Sequence, residues 1–489
     1  MNKNYNFFKR HSYLSIVLLY FFIFIPIIFL RFQDLRNEIK YFIVTEQFLT
    51  EKNLFVLSYF NSLYPDKPPL YFWILGISKY ISGQYFPIVG IILGSLIPSI
   101  VIVILFYKMV IKIKDENMAF SSAIALAMLP LFAGLTMFLR MDMLMTMFIF
   151  IALYLFFGFY YKWFNISGGK LTLFYLAIFL GLFTKGVAGI AIPILIPLVF
   201  LALERDIKFL KKIKFPLGFL FVLALTLLWF ALIYFSPHGV DYISLMLGRE
   251  TVGRIVNSKA HVKPFYYYLK VLLPLMFPYT IAIVWGIILG FKNIKRWREW
   301  EIGEKIGFIW MIVPFVMFSL ASGKLAVYLL PIFPGAIIFI HSLLLKEDSK
   351  VKNIILKSCE ILSVLPFVIS LIDRKKRDVL SRINRINYSL IILMFCTIGG
   401  LNYYNDNYTA KPFVKLVRAH KISAYNFEDG LNLTYYTNYP IKNYENIEEL
   451  KDIAPTYLIT KIKYEADLKK LGYKVSLKNR TYGLYKIVK

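Results

Sequence analysis

Apolar stretches recur from one end of this 489-residue sequence almost to the other, each close to the ~20 residues a helix needs to cross a bilayer. In hydrocarbon every backbone N–H and C=O must find its partner within the structure, so runs of this length commit the chain to helices. Composition agrees: 58% of residues are hydrophobic and 18% charged, with a mean hydropathy of +0.61, whereas a soluble domain is about a quarter charged. The runs predict spans at roughly 13–30, 86–107, 118–138, 143–161, 171–184, 186–203, 215–236, 271–291, 305–321, 325–345 and 388–404. The first follows Lys3, Lys9 and Arg10, as a secretion signal would. It is long for a signal and has no small-residue cleavage site, so it reads as a retained span.

The net charge of +28 would suggest nucleic acid in a soluble protein. Here Lys and Arg concentrate in the short loops 108–117, 204–214, 292–304 and 346–357. Retention of positive charge in the cytoplasm accounts for much of this; attraction to anionic head groups or to a phosphate-bearing substrate accounts for more. Nucleic acid is not an expected partner. With these loops inside, the long loops 31–85 and 237–270 fall outside, as do the turns around Arg140, Lys185 and Lys324. The basic stretch 373–387 belongs inside by the same rule, so the short segment 358–372, which contains Pro366, is expected not to cross. Residues 405–489 then emerge outside. From about residue 410 polar and apolar residues mix, with β-like runs at Thr456-Tyr-Leu-Ile-Thr and Tyr482-Gly-Leu-Tyr-Lys-Ile-Val and helical patterns at Ile447 to Ile453 and Glu465 to Leu471. Cys359 and Cys396 lie in or beside apolar runs and form no disulfide framework or zinc cluster. The expected fold class is an α-helical polytopic membrane protein of about 11–13 transmembrane helices with a small C-terminal soluble α/β domain.

The first long loop carries the chemistry. Read as a helix, Arg31 to Glu46 places Leu35, Ile39, Phe42 and Ile43 on one face, Asp34 and Glu38 on a second, Arg36 and Lys40 on a third. Such a helix lies flat on the membrane with its carboxylates toward the external cavity; equally, it can be a solvated helix laced with ion pairs. Next comes Tyr64-Pro-Asp66-Lys67-Pro68-Pro69-Leu70-Tyr71-Phe72-Trp73. The prolines stiffen this corner, which can simply be an interfacial turn anchored by aromatics, or can present a cation and a carboxylate at the depth of a lipid phosphate. Arg140, Asp142, Lys185 and Lys324 sit at the outer ends of spans. A lysine there snorkels at little cost, but Asp142 cannot reach as far and calls for a partner, with Arg140 and Lys185 the candidates.

In order along the chain, Asp34-Leu-Arg36-Asn-Glu38, Tyr64-x-Asp66-Lys67-Pro-Pro-Leu-Tyr-Phe-Trp, Arg140-x-Asp142, Thr184-Lys185-Gly186, Arg249-Glu-x-x-Gly-Arg254 with His261-x-x-Pro264-Phe-Tyr-Tyr-Tyr, and Lys324-x-x-x-Tyr328-x-Leu-Pro-x-x-Pro resemble the aminoarabinose transferases of lipid A, relatives of the protein O-mannosyltransferases. Two motifs depart from the family's: Leu35 stands between Asp34 and the charged residues that follow, and Asp66 replaces a glutamate. The resemblance implies a membrane glycosyltransferase of the GT-C type that moves a sugar from a polyprenyl (undecaprenyl) phosphate to an envelope acceptor, lipid A ahead of a protein hydroxyl, with inversion. It implies a cell inner membrane enzyme whose site faces the periplasm or exterior. Asp34 and Glu38 are then the catalytic carboxylates. Lys67, Asp142, Lys185, Arg254 and Tyr328 bind substrate, and Asp66 is the candidate ligand for a divalent metal. The competing class is a transporter, which typically places charges at mid-membrane on broken helices and shows internal repeats. No repeat is visible here and the charges gather at span ends.

Overall fold

The computed structural model describes residues 12–33, 35–60, 62–248, 262–346, 350–363, 378–427, 431–437, 439, 441–453 and 456–487. Among them nine helices are long and apolar enough to cross a membrane: Ser12–Leu30, Leu70–Ile113, Met141–Tyr160, Gly168–Lys185, Val187–Glu204, Phe215–Tyr234, Ile302–Leu320, Ala326–Lys346 and Val379–Tyr408. Glu116–Met128 and Pro130–Met137 meet at 64° and make a tenth as one broken span. The break falls at Pro130, because proline pushes the residue before it out of the helical region, and Leu129 has ψ 135°. The run expected at 271–291 is also two helices, Tyr267–Leu275 and Thr280–Asn293, separated by a turn with Pro274 and Pro278 at its edges. The eleven expected runs are thus all helical, but two are broken rather than continuous.

Three features position the outer ends of the spans. Helices Gly168–Lys185 and Val187–Glu204 are joined through Gly186 alone, at φ +78°, a left-handed value that glycine adopts without penalty. They then cross backbone to backbone: a Cβ on Gly189 would lie 2.0 Å from the carbonyl oxygen of Gly181. Lys185 is therefore the last helical residue before a tight hairpin tip. Second, helix Arg36–Glu51, which follows the first span, packs against Leu70–Ser82, the opening segment of the long helix Leu70–Ile113. Third, Tyr242 on helix Gly239–Leu245 donates to the carbonyl of Tyr64 at 3.1 Å, and Trp73 Nε1 donates to that of Leu54 at 2.7 Å. Together they pin both sides of the proline corner.

At the other end of the bundle, Asp115 and Ser167 cap helices by accepting from Met118 N and Lys170 N, and Glu301 with Glu304 forms a capping box. An amphipathic helix, Lys350–Leu362, packs against Val379–Tyr408, where Arg382 and Arg385 hold Glu360 at 2.8 and 3.0 Å. Residues 364–377, which take in most of the segment expected not to cross and the start of the basic stretch, lie outside the described residues.

The 30-residue helix Val379–Tyr408 is about 45 Å long at 1.5 Å per residue, enough to carry the chain from one end of the bundle to the other. After it come β3 (Ser423–Tyr425), β4 (Asn443–Tyr444), β5 (Tyr457–Lys461), β6 (Tyr473–Lys478) and β7 (Tyr482–Ile487), following a short hairpin of β1 (Ser58–Tyr59) and β2 (Ser62–Leu63) in the first loop. The tail strands form a five-stranded sheet in the order β4-β3-β5-β7-β6, parallel on the β3 side and antiparallel at β5-β7-β6. Period-two alternation sends Ile459 and Leu484 to one face and Leu458 and Tyr485 to the other, each face covered by its own apolar cluster.

Candidate active site

Helix Arg36–Glu51 lies apolar side down, with Ile39, Phe42, Val44 and Phe48 buried; Leu35 is exposed rather than buried with them. Glu38 does not face a cavity. It is 1% exposed and takes both prongs of Arg31, Nη1 to Oε2 at 3.0 Å and Nη2 to Oε1 at 2.5 Å. A third bond comes from Leu139 N at 2.8 Å. Arg31 also donates to the carbonyl of Met137 at 3.3 Å and lies 4.4 Å from the Phe138 ring centroid. A carboxylate removed from water needs such a set of partners, and the planar guanidinium supplies two in one plane. Here the pair is a latch: it ties the end of the first span to the end of helix Pro130–Met137 and to residues 138–139 that lead into Arg140. The expected role of Glu38 as a second cavity carboxylate gives way to this one.

Arg140 precedes the first turn of helix Met141–Tyr160. Asp142 is fully buried, with Arg140 Nε at 3.1 Å from Oδ2 and the Lys185 ammonium on Oδ1. Lys185 Nζ lies 4.6 Å from the centroid of the Tyr328 ring. The Thr146 hydroxyl donates to the Asp142 carbonyl at 2.8 Å. Lys185 and Arg140 are 8% and 17% exposed, so one buried carboxylate orients two largely buried cations. The expected partnership of Asp142 with Arg140 and Lys185 therefore holds for both.

Beside this cluster is the proline corner. Pro65, Pro68 and Pro69 are buried, while Asp66 and Lys67 are half-buried. Lys40, which sequence reasoning did not single out as a site residue, reaches Asp66 at 3.7 Å and sits 4.2 Å from the Tyr64 ring and 5.2 Å from that of Tyr59. Trp73 stacks edge-on to Phe183 at 5.1 Å, which brings the corner's helix alongside the one that ends in Lys185. Tyr41 links the two groups. Burial first of all pushes its hydroxyl well above the ordinary range, and the charges of Arg140, Asp142 and Asp66 act on it as well. Among the described residues, Lys40 pairs with Asp66 while Arg140 and Lys185 pair with Asp142, so three cations meet two carboxylates, a surplus suited to a phosphate.

Lys324 does not join them. It is 3% exposed and donates to the carbonyls of Lys263, at 3.1 Å, and Ala321, capping the end of helix Ile302–Leu320 and fastening the second outer loop to it. Asp34 and Arg254, with Arg249 and His261, lie outside the described residues. Among the described residues no group of three or more His, Cys, Asp or Glu converges. Asp66, the expected metal ligand, has the Lys40 ammonium 3.7 Å from its carboxylate.

The family model of the dolichyl-phosphate-mannose-protein mannosyltransferases matches residues 66–234. An undecaprenyl phosphate-alpha-4-amino-4-deoxy-L-arabinose arabinosyl transferase of Pseudomonas savastanoi pv. phaseolicola is 24% identical over 319 residues, 63% of this chain and 56% of its own length. One from Edwardsiella ictaluri is 32% identical over 169 residues, 34% of this chain and 29% of its own length. The chain spans about half the length of the first curated relatives it matches. The crystal structure of ArnT from Cupriavidus metallidurans bound to undecaprenyl phosphate superposes with a TM-score of 0.74 at 14% identity, covering 100% of this chain and 99% of that one. Its apo form gives 0.69, covering 98% and 97%. The fold is therefore of the GT-C type.

Proposed function

We propose that this chain, a sequence relative of the aminoarabinose transferases that shares their fold, is a glycosyltransferase that moves a sugar from a polyprenyl phosphate donor to a lipid A-like glycolipid at the outer face of the membrane. The observation that carries this reading is buried Asp142 holding Arg140 and Lys185 side by side, with Tyr328 against the lysine. A polyprenyl phosphate sugar is already activated; what remains is to stabilise the departing phosphate. The acceptor oxygen attacks the anomeric carbon from the face opposite the carrier. A new C–O bond forms as the bond to the carrier phosphate breaks, and the electron pair leaves on a phosphate oxygen with inversion at carbon. Charge grows on that phosphate, and cations already aimed at it stabilise the transition state more than the bound donor. Lys67 and Lys185 hold it, with Arg254 as a third cation and Tyr328 as a hydroxyl donor. Asp34 orients the acceptor. When the acceptor is a phosphate no proton needs removal; when it is a hydroxyl, Asp34 takes the proton. A divalent cation on Asp66 would share that carboxylate with the Lys40 ammonium, and no step here requires one.

The mannosyltransferase match favours a second acceptor class, a protein hydroxyl. One experiment separates the two: the protein in proteoliposomes, given a labelled polyprenyl phosphate sugar and either a phosphorylated lipid A or a Ser/Thr-rich peptide. Label should appear on the glycolipid. Lys67→Ala and Lys185→Ala should each raise the donor KM and lower kcat by about 10²-fold, the usual effect of losing one charge-stabilising donor. Label on the peptide alone would move the chain to the mannosyltransferase class, and no transfer to either would remove the reading.

A further inference from the structure

Away from the outer cluster of charges, three helices leave a crevice between them. It has a volume of about 450 Å³ and lies among Gly168–Lys185, Val187–Glu204 and Phe215–Tyr234. Tyr175 in its wall stands ten residues before Lys185, about 15 Å along the helix. Pro193, Pro197 and Val222 complete the buried wall, while Phe219 at the mouth is 53% exposed. Among the described residues, Tyr175 is the one polar side chain of the lining, and its hydroxyl is spent on the Ile213 carbonyl at 2.8 Å. A cleft lined in this way takes hydrocarbon rather than water. One side is shut by Gly218, where a Cβ would lie 1.9 Å from the Tyr175 ring, the close approach that small residues permit between spans. Helix Phe215–Tyr234 packs on Gly168–Lys185 and on Gly239–Leu245, and the crevice separates it from Val187–Glu204.

The end of the crevice is made by a basic loop. Leu210, Ile213 and Phe215 line it, and between them in the chain Lys211, Lys212 and Lys214 are exposed. Segment 204–214 holds five cations and two carboxylates, and Glu204 is already engaged by Lys305 and by the Trp297 indole, each at 2.9 Å. Within six residues, 210–215, side chains that enter an apolar cleft alternate with free-standing cations. That is the complement of a phospholipid, hydrocarbon with an anionic head at one end. We infer that this crevice binds an anionic phospholipid from the leaflet on the side of the basic loop. One acyl chain lies against Pro193, Pro197 and Val222, and the phosphate meets Lys211 and Lys214. Basic segments at the membrane surface favour anionic head groups, and the cleft beside them fixes where the chain goes. The bound chain supplies the packing that Phe215–Tyr234 lacks against Val187–Glu204. The site is separate from sugar transfer and stands whether or not the protein transfers sugar.

The test uses the delipidated full chain in a nonionic detergent, titrated with phosphatidylglycerol or with phosphatidylcholine of the same acyl chains, with bound lipid counted by native mass spectrometry. Phosphatidylglycerol should bind at least tenfold more tightly, and should raise the midpoint of thermal unfolding, as a ligand of the native state does. Lys211→Gln with Lys214→Gln should abolish the preference between the two lipids. Ile194→Trp, at the half-buried mouth, should weaken both lipids tenfold or more with the lipid-free midpoint unchanged; Leu198→Trp, one turn on, is a second filler of the same space should the first not fold. Lys350→Gln with Lys357→Gln, two exposed lysines on helix Lys350–Leu362, which lines no part of the crevice, should change nothing. Equal affinity for the two lipids would overturn the inference, as would an equal loss of preference in the Lys350 and Lys357 control. Wild-type binding in both filled variants would take the acyl chain out of the crevice and overturn it as well. So would displacement of phosphatidylglycerol by equimolar polyprenyl phosphate, which would mark a carrier site, or a dimer that the filled variants dissolve, which would mark a contact between copies.

Discussion

Two carboxylates four residues apart in sequence, Asp34 and Glu38, have separate fates. Glu38 is enclosed by Arg31 and the Leu139 amide, so its charge is spent on structure. Removing one member of a buried ion pair typically costs 3–5 kcal/mol because the other is left without compensation. Glu38→Gln should therefore destabilise the protein by about 3 kcal/mol, visible as a lower midpoint of thermal unfolding in detergent. Activity per folded molecule should fall less than stability does. Asp34→Asn is expected to do the reverse. Transfer should drop below a tenth of wild type, in keeping with the ~10²–10⁴-fold contribution of an acid–base group, with the unfolding midpoint unmoved. Measuring both quantities on both variants assigns the roles; an Asp34→Asn enzyme that keeps most of its rate takes Asp34 out of the mechanism. The seven-residue spacing of Arg31 and Glu38, two helical turns, was visible in the sequence, but so were other pairings along the same loop. What selects this one is burial, which makes an unpaired charge costly and a fork-shaped partner the cheapest remedy.

At the scale of elements, the site depends on how helices end. Lys185 reaches Asp142 because its helix stops at Gly186 and turns back within one residue, and because Gly181 and Gly189 let the two backbones touch. Gly189→Ala puts a methyl 2.0 Å from the Gly181 carbonyl, where only backbone movement can relieve it. Overpacking of this kind typically costs 1–3 kcal/mol, and a shift of the hairpin tip carries Lys185 away from Asp142 and from the donor phosphate proposed to bind it. The expected outcome is a raised donor KM together with reduced thermal stability. Gly168→Ala, which meets nothing within 4 Å, is the matched control. A Gly189→Ala protein with wild-type kinetics would detach the hairpin from the site. The Thr184-Lys185-Gly186 motif marked the turn in the sequence. The partner glycine at 189 carried no such mark, since a close approach is a property of two segments and neither announces it alone.

On the scale of the whole molecule, helix Val379–Tyr408 sets Arg382 and Arg385 at one end of the bundle against Glu360 and Asn405 at the other against the first span. The positive-inside rule predicts the basic end in the cytoplasm, and with it the tail sheet outside. A cysteine at Ser381 and another at Ser476, each in a chain whose Cys359 and Cys396 have been replaced, should respond oppositely to a membrane-impermeant thiol reagent. Only position 476, exposed on the tail sheet, should be labelled in cells with a permeable outer barrier. Labelling at 381 alone would place a further crossing before residue 381 and invert the C-terminal third, and labelling at both would mean that helix Val379–Tyr408 does not carry the chain across the membrane.

The sequence by itself determined that this chain lives in a bilayer, where its eleven apolar runs lie, which loops carry the charges, and that a small α/β domain follows. In that domain it placed helix Ile447–Ile453 and strands β5 and β7 to within a residue or two. Those features rest on local periodicity and on the length of apolar runs, which any short window of sequence contains. Tertiary structure alone decided which charges meet. The sequence offered Lys185 as a candidate for Asp142, 43 residues away, because both stand at outer span ends; Asn405 and Leu30 are 375 apart, and nothing in either segment names the other. A burial cost is set only once helices pack and exclude water, so the choice among possible pairs belongs to the folded bundle.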